Sequence, residues 1–190
     1  LYFAKNTSID VGESGSPVIC MSVQQGKIVA FKEHELHLLS FKEGDILNEI
    51  TLLKDNGKVF KKPDSFESEQ VSKKIGCANK KTVAICGGKN IWLSEDGKIY
   101  KFDVSGKKIT ELCNPEILKL DHITYGQATA MGSEEYYILS AFNEMFVVDI
   151  QNLKESNCFL WRAPEGLNIE NGFYHSGKFM FLCCGEDSRL

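Results

Sequence analysis

The sequence of 190 residues predicts an all-β protein built from one repeated unit of short strands. Apolar runs of a few residues alternate with turns rich in Gly, Asn, Asp and Lys, which is typical of antiparallel sheets. One apolar run starts at residues 28, 82 and 136, at intervals of 54 residues. Its apolar residues are consecutive rather than alternating, which indicates a strand that is buried on both faces.

Each unit is predicted to contain four strands, and the recurring run is the second of them. The predicted second strands are residues 28–31, 82–85, 136–139 and 179–182, and the predicted first strands are residues 18–23, 74–78, 123–130 and 172–175. The predicted third strands are residues 36–39, 91–94 and 145–148, and the predicted fourth strands are residues 46–53, 99–104 and 158–161. Gly26 and Gly177 lie just before a second strand, where a tight hairpin turn favours a positive φ.

The units are expected to form a single domain over residues 1–190, because repeats of this kind pack on their neighbours. The predicted units are residues 18–53, 74–112, 123–161 and 171–184, and the predicted inserts are residues 54–73, 113–122 and 162–170. The fourth unit is expected to stop after its second strand.

Four short antiparallel strands per unit of this length are the size of one β-propeller blade. We therefore predict about three and a half four-stranded propeller-type blades. Propellers have about four to eight blades, so the chain is expected to be part of a larger β-propeller, completed by further sequence or by another chain. A sandwich or a barrel is the alternative arrangement.

Two segments, residues 81–104 and 134–150, resemble repeats of the WD40-like propeller superfamily. In the second segment Val148 and Asp149 end a third strand, as residues of these types often do in that superfamily. The resemblance extends over residues 18–184 and implies a non-catalytic interaction or scaffold module that contacts other protein subunits. Residues 94–100 also resemble a repeat of the RCC1-like propellers, which implies instead a GTPase exchange factor or a chromatin-binding module.

The composition excludes some classes of protein. The net charge is −4, which argues against a molecule-wide basic field for nucleic acid, and no apolar stretch is long enough to span a membrane. The seven cysteines are Cys20, Cys77, Cys86, Cys113, Cys158, Cys183 and Cys184. Most lie within apolar runs, so they are predicted to be small buried side chains in a reducing compartment. The expected location is therefore intracellular, cytoplasmic or nuclear.

One segment has a different charge from the rest of the chain. Between residues 54 and 81 there are eight lysines and four acidic residues, which leaves this segment at +4 and the remainder at −8. The candidate binding residues are Lys58, Lys61, Lys62, Lys73, Lys74, Lys80 and Lys81, with Lys54 beside them. A local positive surface favours RNA or another polyanion, so an accessory subunit with that role is the alternative function. The alternative interpretation is that the lysines only keep a long loop in contact with water and bind no partner.

No pattern of catalytic residues is complete. His34 and His37 are three residues apart on a predicted turn and strand, so their side chains are not expected to share a metal. Cys183 and Cys184 are adjacent rather than spaced for one tetrahedral metal, and both are predicted to be buried. Since the sequence also lacks a nucleotide-binding glycine pattern, we expect no catalytic site, no metal and no cofactor.

Overall fold

The computed structural model describes residues 9–12, 15–42, 65–113, 126–141, 143–151 and 158–185. Within these ranges the chain forms fourteen β-strands and one short 3-10 turn, Lys80–Thr82, so the all-β prediction is confirmed. Among the described residues, no helix has both the length and the apolar character needed to cross a bilayer.

The strands form four antiparallel sheets, and within each sheet neighbouring strands follow the order of the chain. Sheet 1 contains β1 (Val18–Gln24), β2 (Lys27–Lys32), β3 (Leu36–Lys42) and β4 (Ser65–Ser72). Sheet 2 contains β5 (Ala84–Cys86), β6 (Lys89–Leu93), β7 (Ile99–Asp103) and β8 (Lys108–Cys113). Sheet 3 contains β9 (Thr129–Gly132), β10 (Tyr136–Ala141), β11 (Glu144–Asp149) and β12 (Cys158–Arg162). Sheet 4 contains two strands, β13 (Leu167–His175) and β14 (Lys178–Gly185).

Glycine forms the predicted hairpin turns. Gln25 and Gly26 join β1 to β2 with φ values of 51° and 73°, and Ser176 and Gly177 join β13 to β14 with 50° and 77°. Two consecutive positive φ values are the requirement of a type I′ turn, which matches the twist of the flanking strands.

The sheets pack face to face in chain order, each on the next. Between sheets 1 and 2 the core contains Val29, Phe31, Leu36, Leu38, Trp92 and Phe102; between sheets 2 and 3 it contains Ile91, Leu93, Ile99, Tyr137, Leu139 and Phe146. Between sheets 3 and 4 it contains Met131, Ile138, Met145 and Ile169. Strands β2, β6 and β10 are therefore buried along successive residues, as their consecutive apolar residues predicted.

The predicted register of the second unit was wrong by one strand. Residues 82–85 were predicted as a second strand, but the structure has the first strand, β5, at residues 84–86, and residues 74–78 form no strand. Residues predicted as the third and fourth strands form β6 and β7, and β8 follows them. The run at 82–85 is apolar, yet Ile85 is exposed, whereas Trp92 of β6 is fully buried between sheets 1 and 2.

Strand β4 was not predicted either. It lies at residues 65–72, inside the segment predicted to be the insert 54–73, and it pairs with β3. Its residues are mostly polar because it is the outer strand of sheet 1, so the sequence resembles a loop. The predicted fourth strand at residues 46–53 lies outside the described residues. Strands β9 and β13 are likewise shifted. Residues 126–128 of the predicted strand 123–130 lie before β9, and residues 123–125 lie outside the described residues. Strand β13 begins within the predicted insert 162–170.

Candidate interaction surface

The lysine-rich segment lies partly within the described chain. Lys73 and Lys74 follow β4, and Lys80 and Lys81 form the 3-10 turn before β5; all four are exposed. Their ammonium groups make no ion pair with a carboxylate of the described residues. Lys58, Lys61 and Lys62, with Lys54, lie outside the described residues.

The connection that carries these lysines is held against three sheets. The carbonyl oxygen of Gly76 accepts a 2.7 Å hydrogen bond from the indole nitrogen of Trp92 in sheet 2. The side-chain amide of Asn79 donates to the carbonyl oxygen of Ala128 at 3.0 Å, next to sheet 3. Cys77 donates its backbone N–H to the carbonyl oxygen of Lys32 in sheet 1 at 2.9 Å. The connection is therefore fixed at several points rather than being a free loop.

A buried amide pair joins sheet 1 to sheet 2. The side-chain oxygen of Gln24 accepts hydrogen bonds from the backbone and side-chain nitrogens of Asn90, at 3.2 and 2.8 Å. The side-chain nitrogen of Gln24 donates to the carbonyl oxygen of Phe102 at 3.2 Å. Because all these groups lie in the interior, their pairing specifies how the two sheets align.

A buried polar cluster in sheet 1 has the residue types of a hydrolase triad. The ring nitrogens of His37 lie 2.9 Å from a carboxylate oxygen of Glu35 and 3.3 Å from the hydroxyl of Ser68. The hydrogen bond with His37 lowers the pKa of Glu35 below its ordinary value, and the ammonium group of Lys32, 3.5 Å away, contributes to the same shift.

The surroundings of Ser68 are acidic. An adjoining cavity of about 570 Å³ is lined by Ile9, Asp10, Ser40, Phe66, Glu67, Ser68 and Glu69. Three of these lining residues are acidic. Within the cluster, the hydrogen bonds of His37 join β3 to β4 and to Glu35, the residue before β3.

The second histidine, His34, lies on the surface between sheets 1 and 2. One ring nitrogen is 3.3 Å from Glu95 and the other is 4.0 Å from Glu33. The three side chains place ligand atoms within 4.8 Å of one another. The ring directs its two nitrogens at two different carboxylates, which is the geometry of an ion-pair cluster when the histidine is protonated. His34 lies in an exposed turn and His37 in a strand, as predicted.

Sheet 3 has exposed aromatic side chains beside the two-stranded sheet 4. Phe159 and Trp161 of β12 are 57% and 48% exposed, and both pair with residues of β11 that face sheet 4. Trp161 stacks on Phe181 of β14, with ring centroids 6.3 Å apart and planes inclined by 23°. We call Phe159, Trp161 and Phe181 the aromatic surface.

The outer strand of sheet 1, β4, does not have aromatic residues on the face that points toward the next sheet, as β12 does. On the face of β4 that points toward sheet 2, Glu67 and Glu69 are exposed, and Glu69 pairs with Lys107 of the neighbouring sheet. Val71 on the same face packs against the core between the two sheets. An outer strand is normally compatible with water. Large exposed aromatic rings on the face of β12 that points toward sheet 4 therefore distinguish this junction from the one between sheets 1 and 2.

Sheet 4 also has an apolar outer face. Phe173 and Met180 are directly paired and are 57% and 48% exposed, and Leu182 next to them is 59% exposed. Within the described chain, no strand pairs along the far edge of β14. An unpaired edge next to exposed apolar side chains is a template for adding a further strand.

The opposite end of the stack is apolar as well. Met21 and Val23 of β1 are 63% and 60% exposed on the face of sheet 1 that points away from sheet 2. On the same face the rings of Phe41 and Phe66 meet edge to face, with centroids 5.6 Å apart. Exposed apolar residues thus occur on both terminal sheets.

The cysteines are only partly where the sequence predicted. Cys77 and Cys86 are buried, and burial raises the pKa of Cys86 to about 12. The prediction for Cys183 was wrong, since this residue is exposed, and Cys184 is only half-buried. Cys20, Cys77, Cys86 and Cys183 are free thiols, and the side chain of Cys113 lies outside the described residues.

Comparison with known proteins adds no assignment. No protein-family model matches the chain. No curated protein is significantly similar to it in sequence.

Proposed function

We propose that this chain is a non-catalytic protein-interaction or scaffold module. Its sheets would be consecutive blades of a larger β-propeller, similar to the WD40-like superfamily, and protein outside these 190 residues would complete the ring. The aromatic surface beside the two-stranded sheet 4 is the observation that carries this proposal.

The geometry of the junction between sheets 3 and 4 supports this proposal. Sheets 1 to 3 have four strands each and sheet 4 has two. The two strands of sheet 4 pack mainly on the first strands of sheet 3, through β13 and its neighbours β9 and β10. A third and a fourth strand placed beside β14 would lie over β11 and β12. They would cover Phe159 and Trp161, and burying one large side chain of this kind contributes about 1.5–3 kcal/mol.

The occupant that fits is a pair of antiparallel strands with apolar residues on one face. Backbone hydrogen bonds to the edge of β14 would supply affinity, and side chains resting on the aromatic surface would supply specificity. The outer face formed by Phe173, Met180 and Leu182 would then receive the following sheet.

Site-specific photocrosslinking tests this interaction. Phe159 is replaced by benzoylphenylalanine in the protein produced in its own cells, and crosslinked peptides are identified by mass spectrometry. We expect peptides from protein outside residues 1–190. Trp161→Glu in the same background should reduce their yield about tenfold or more, the size of effect expected for a central aromatic contact.

A matched control places the crosslinker at Ser105, which is exposed in the turn between β7 and β8. Little product is expected there. Crosslinks from position 159 that remain within residues 1–190, or equal yields at the two positions, would show that the aromatic surface is not a docking site.

The association state of the chain alone provides a second test. Expressed by itself, the chain should be poorly soluble or oligomeric, because exposed edges and apolar faces associate. Replacing Phe159 and Leu182 by lysine should shift its mass in light scattering toward the monomer. A stable monomer with slow hydrogen exchange at residues 179–182 would contradict the proposal.

Contact with a polyanion is the second candidate function. The observation that favours it is that Lys73, Lys74, Lys80 and Lys81 are exposed, on a fixed connection, and without ion pairs to described carboxylates. Single-stranded oligouridine is a suitable probe, and its affinity is measured by fluorescence anisotropy over a salt series.

A charge-reversal pair tests this candidate. Lys73→Glu with Lys74→Glu should weaken binding and reduce the salt slope by roughly 0.7 for each phosphate that the protein no longer neutralises. The matched control is Lys108→Glu with Lys178→Glu, also exposed but remote in the chain. Equal losses of affinity in both pairs, or none in either, would exclude a specific polyanion site here.

A further inference from the structure

Sheet 4 contains an asparagine that is followed directly by a glycine. Asn171 and Gly172 lie on β13, just after an irregularity in the pairing with β14 between Ile169 and Asn171. Asn171 is exposed and is paired with Leu182. Because successive side chains of a strand alternate between its two faces, Asn171 lies on the outer face together with Phe173. A neutral amide group is therefore present within the apolar outer face of sheet 4.

The side chain of Asn171 folds back onto the peptide bond that follows it. Its carbonyl oxygen Oδ1 accepts a 2.8 Å hydrogen bond from the backbone N–H of Gly172. The carbon Cγ is bonded to this oxygen, so it lies close to the same backbone nitrogen. When two reacting groups are already held together, the entropy cost of bringing them together is largely avoided. The fold therefore holds an electrophilic carbon beside a nitrogen that can attack it.

The packing of sheet 4 on sheet 3 accounts for the glycine. A methyl group added to Gly172 would collide with the end of the Met131 side chain and would lie 3.2 Å from the carbonyl oxygen of Met180. This close approach favours a residue without a side chain. Glycine also leaves its backbone nitrogen without the steric screen that a Cβ atom gives to other residues. The residue that packing favours at position 172 is thus also the one that leaves the nitrogen most accessible to Cγ of Asn171.

We propose that Asn171 is a deamidation site, at which the side-chain amide is converted to a carboxylate through a succinimide ring. The backbone nitrogen of Gly172 gives up its proton and forms a bond to Cγ of Asn171. The bond between Cγ and the side-chain nitrogen breaks, and this nitrogen takes up a proton and leaves as ammonia. Water then adds to either carbonyl carbon of the ring, and the bond from that carbon to the ring nitrogen breaks. The products are aspartate and isoaspartate, and no atom changes its oxidation state.

The reaction changes the outer face of sheet 4. Both products place a carboxylate beside Leu182 and Phe173, and isoaspartate also adds a methylene group to the main chain of β13. A carboxylate without a partner is costly to bury. Deamidation would therefore weaken the packing of a following sheet on this face. That consequence rests on the proposed function, whereas the reaction itself depends only on Asn171, Gly172 and water.

Peptide mapping during incubation in weakly alkaline buffer tests the reaction. Mass spectrometry measures the conversion of Asn171, and labelling by an isoaspartyl methyltransferase detects isoaspartate, which forms only through the succinimide. Asn168, on the same strand, is an internal control because the side chain of Ile169 screens the next nitrogen. We expect Asn171 to react about tenfold faster than Asn168 or more, since close placement of the reacting groups has effects of this size.

The same measurement on the chain unfolded in urea separates the fold from the local sequence. If the folded structure holds the reacting groups together, Asn171 should react at least as fast in the folded chain as in urea. A slower reaction in the folded chain, or conversion of Asn171 without isoaspartate, would overturn the proposal. Neither outcome depends on whether a variant folds.

Two variants of Asn171 test the consequence for the outer face. Asn171→Gln keeps a neutral amide but should not react, because its ring would be larger, and Asn171→Asp has the charge of the product. Leu182 is replaced by benzoylphenylalanine in protein produced in its own cells. Crosslinking to protein outside residues 1–190 should be about tenfold lower in Asn171→Asp than in Asn171→Gln, since an unpaired carboxylate is costly to bury. Equal crosslinking would overturn this consequence, and no crosslinking in either variant would contradict the proposed function instead.

Discussion

The ring of Trp161 stacks on the ring of Phe181 across the junction between sheets 3 and 4, with a centroid separation of 6.3 Å. The contact joins the outer strand of the four-stranded sheet 3 to the second strand of the two-stranded sheet 4. Trp161 is nevertheless 48% exposed, because no described third or fourth strand covers it. This single pair both anchors sheet 4 and marks the surface at which we expect further strands to pack.

Replacing Trp161 by leucine should loosen sheet 4. An aromatic pair contributes about 0.5–1.5 kcal/mol beyond the area it buries, so the opening free energy of β13 and β14 should fall by about 1 kcal/mol. Hydrogen exchange of the amides in these strands measures this change. Phe159→Leu is the control, because Phe159 is on the same strand without a ring contact to the described residues. Equal effects of the two substitutions would contradict the role given to the stacked pair.

Replacing Gln24 by alanine should destabilise the junction between sheets 1 and 2. The change removes the acceptor of two hydrogen bonds from Asn90 and leaves buried N–H groups unpaired. Such a loss costs about 1–3 kcal/mol, measurable by urea unfolding. Glu165→Ala, at an exposed turn remote from this junction, should change the free energy of unfolding by less than about 0.5 kcal/mol. A similarly small effect for Gln24→Ala would show that the pair does not specify the alignment of the sheets.

Replacing Gly132 by alanine should disturb the packing of sheet 3 on sheet 2. The added methyl group would collide with the sulfur of Cys86 and would lie 2.7 Å from the carbonyl oxygen of Ile85. A backbone oxygen cannot rotate away, so we expect a cost of about 1–3 kcal/mol. Gly126→Ala is the matched control, since nothing lies within 4 Å of its added carbon. If both variants unfold at the same urea concentration, the close approach of these sheets is not as described.

The stability of the protein should fall in alkaline solution, in part through Tyr137. Its hydroxyl is fully buried and donates to the carbonyl oxygen of Thr82 at 2.7 Å, and burial raises its pKa well above the ordinary value of 10.0. The unfolded chain loses this proton near pH 10 while the folded protein keeps it. The free energy of unfolding is therefore unaffected below that pH and decreases above it, by up to about 1.4 kcal/mol per pH unit.

The variant Tyr137→Phe isolates this contribution. Near neutral pH it should cost about 1–2 kcal/mol, because the carbonyl oxygen of Thr82 loses its donor. Above about pH 10 its stability should decrease less steeply than that of the unmodified protein. Urea unfolding at a series of pH values measures both effects, and the control is Tyr174→Phe, because Tyr174 of β13 is 42% exposed. Parallel pH curves for Tyr137→Phe and the unmodified protein would refute the prediction.

The strands of sheets 3 and 4 were largely predictable from the sequence. Residues 136–139, 145–148, 158–161 and 179–182 were each predicted as strands and lie within β10, β11, β12 and β14. These runs are bounded by turn residues, so local information is sufficient. In the second unit local information was not sufficient. The apolar run at 82–85 has the sequence pattern of a strand buried on both faces, such as β2, but the strand that packing buries in this way is β6.

The candidate surface was less predictable than the strands. Four of the lysines predicted to bind a partner are exposed on one connection, but the exposure of Phe159 and Trp161 was not predicted, because an apolar outer strand and a buried one have the same sequence pattern. Whether such residues are covered depends on a neighbouring sheet. Strand β4 was missed for the opposite reason, since its polar residues suit an edge strand and a loop equally well.

The sequence by itself determined the all-β class, the short antiparallel strands and the glycine turns such as that at Gly26, because these depend on residues adjacent in the chain. Only the tertiary structure decided that Gln24 pairs with Asn90 and that the aromatic surface is left uncovered. Each of these relationships joins residues that are distant in sequence, and they arise when sheets stack and bury some faces while leaving others in water.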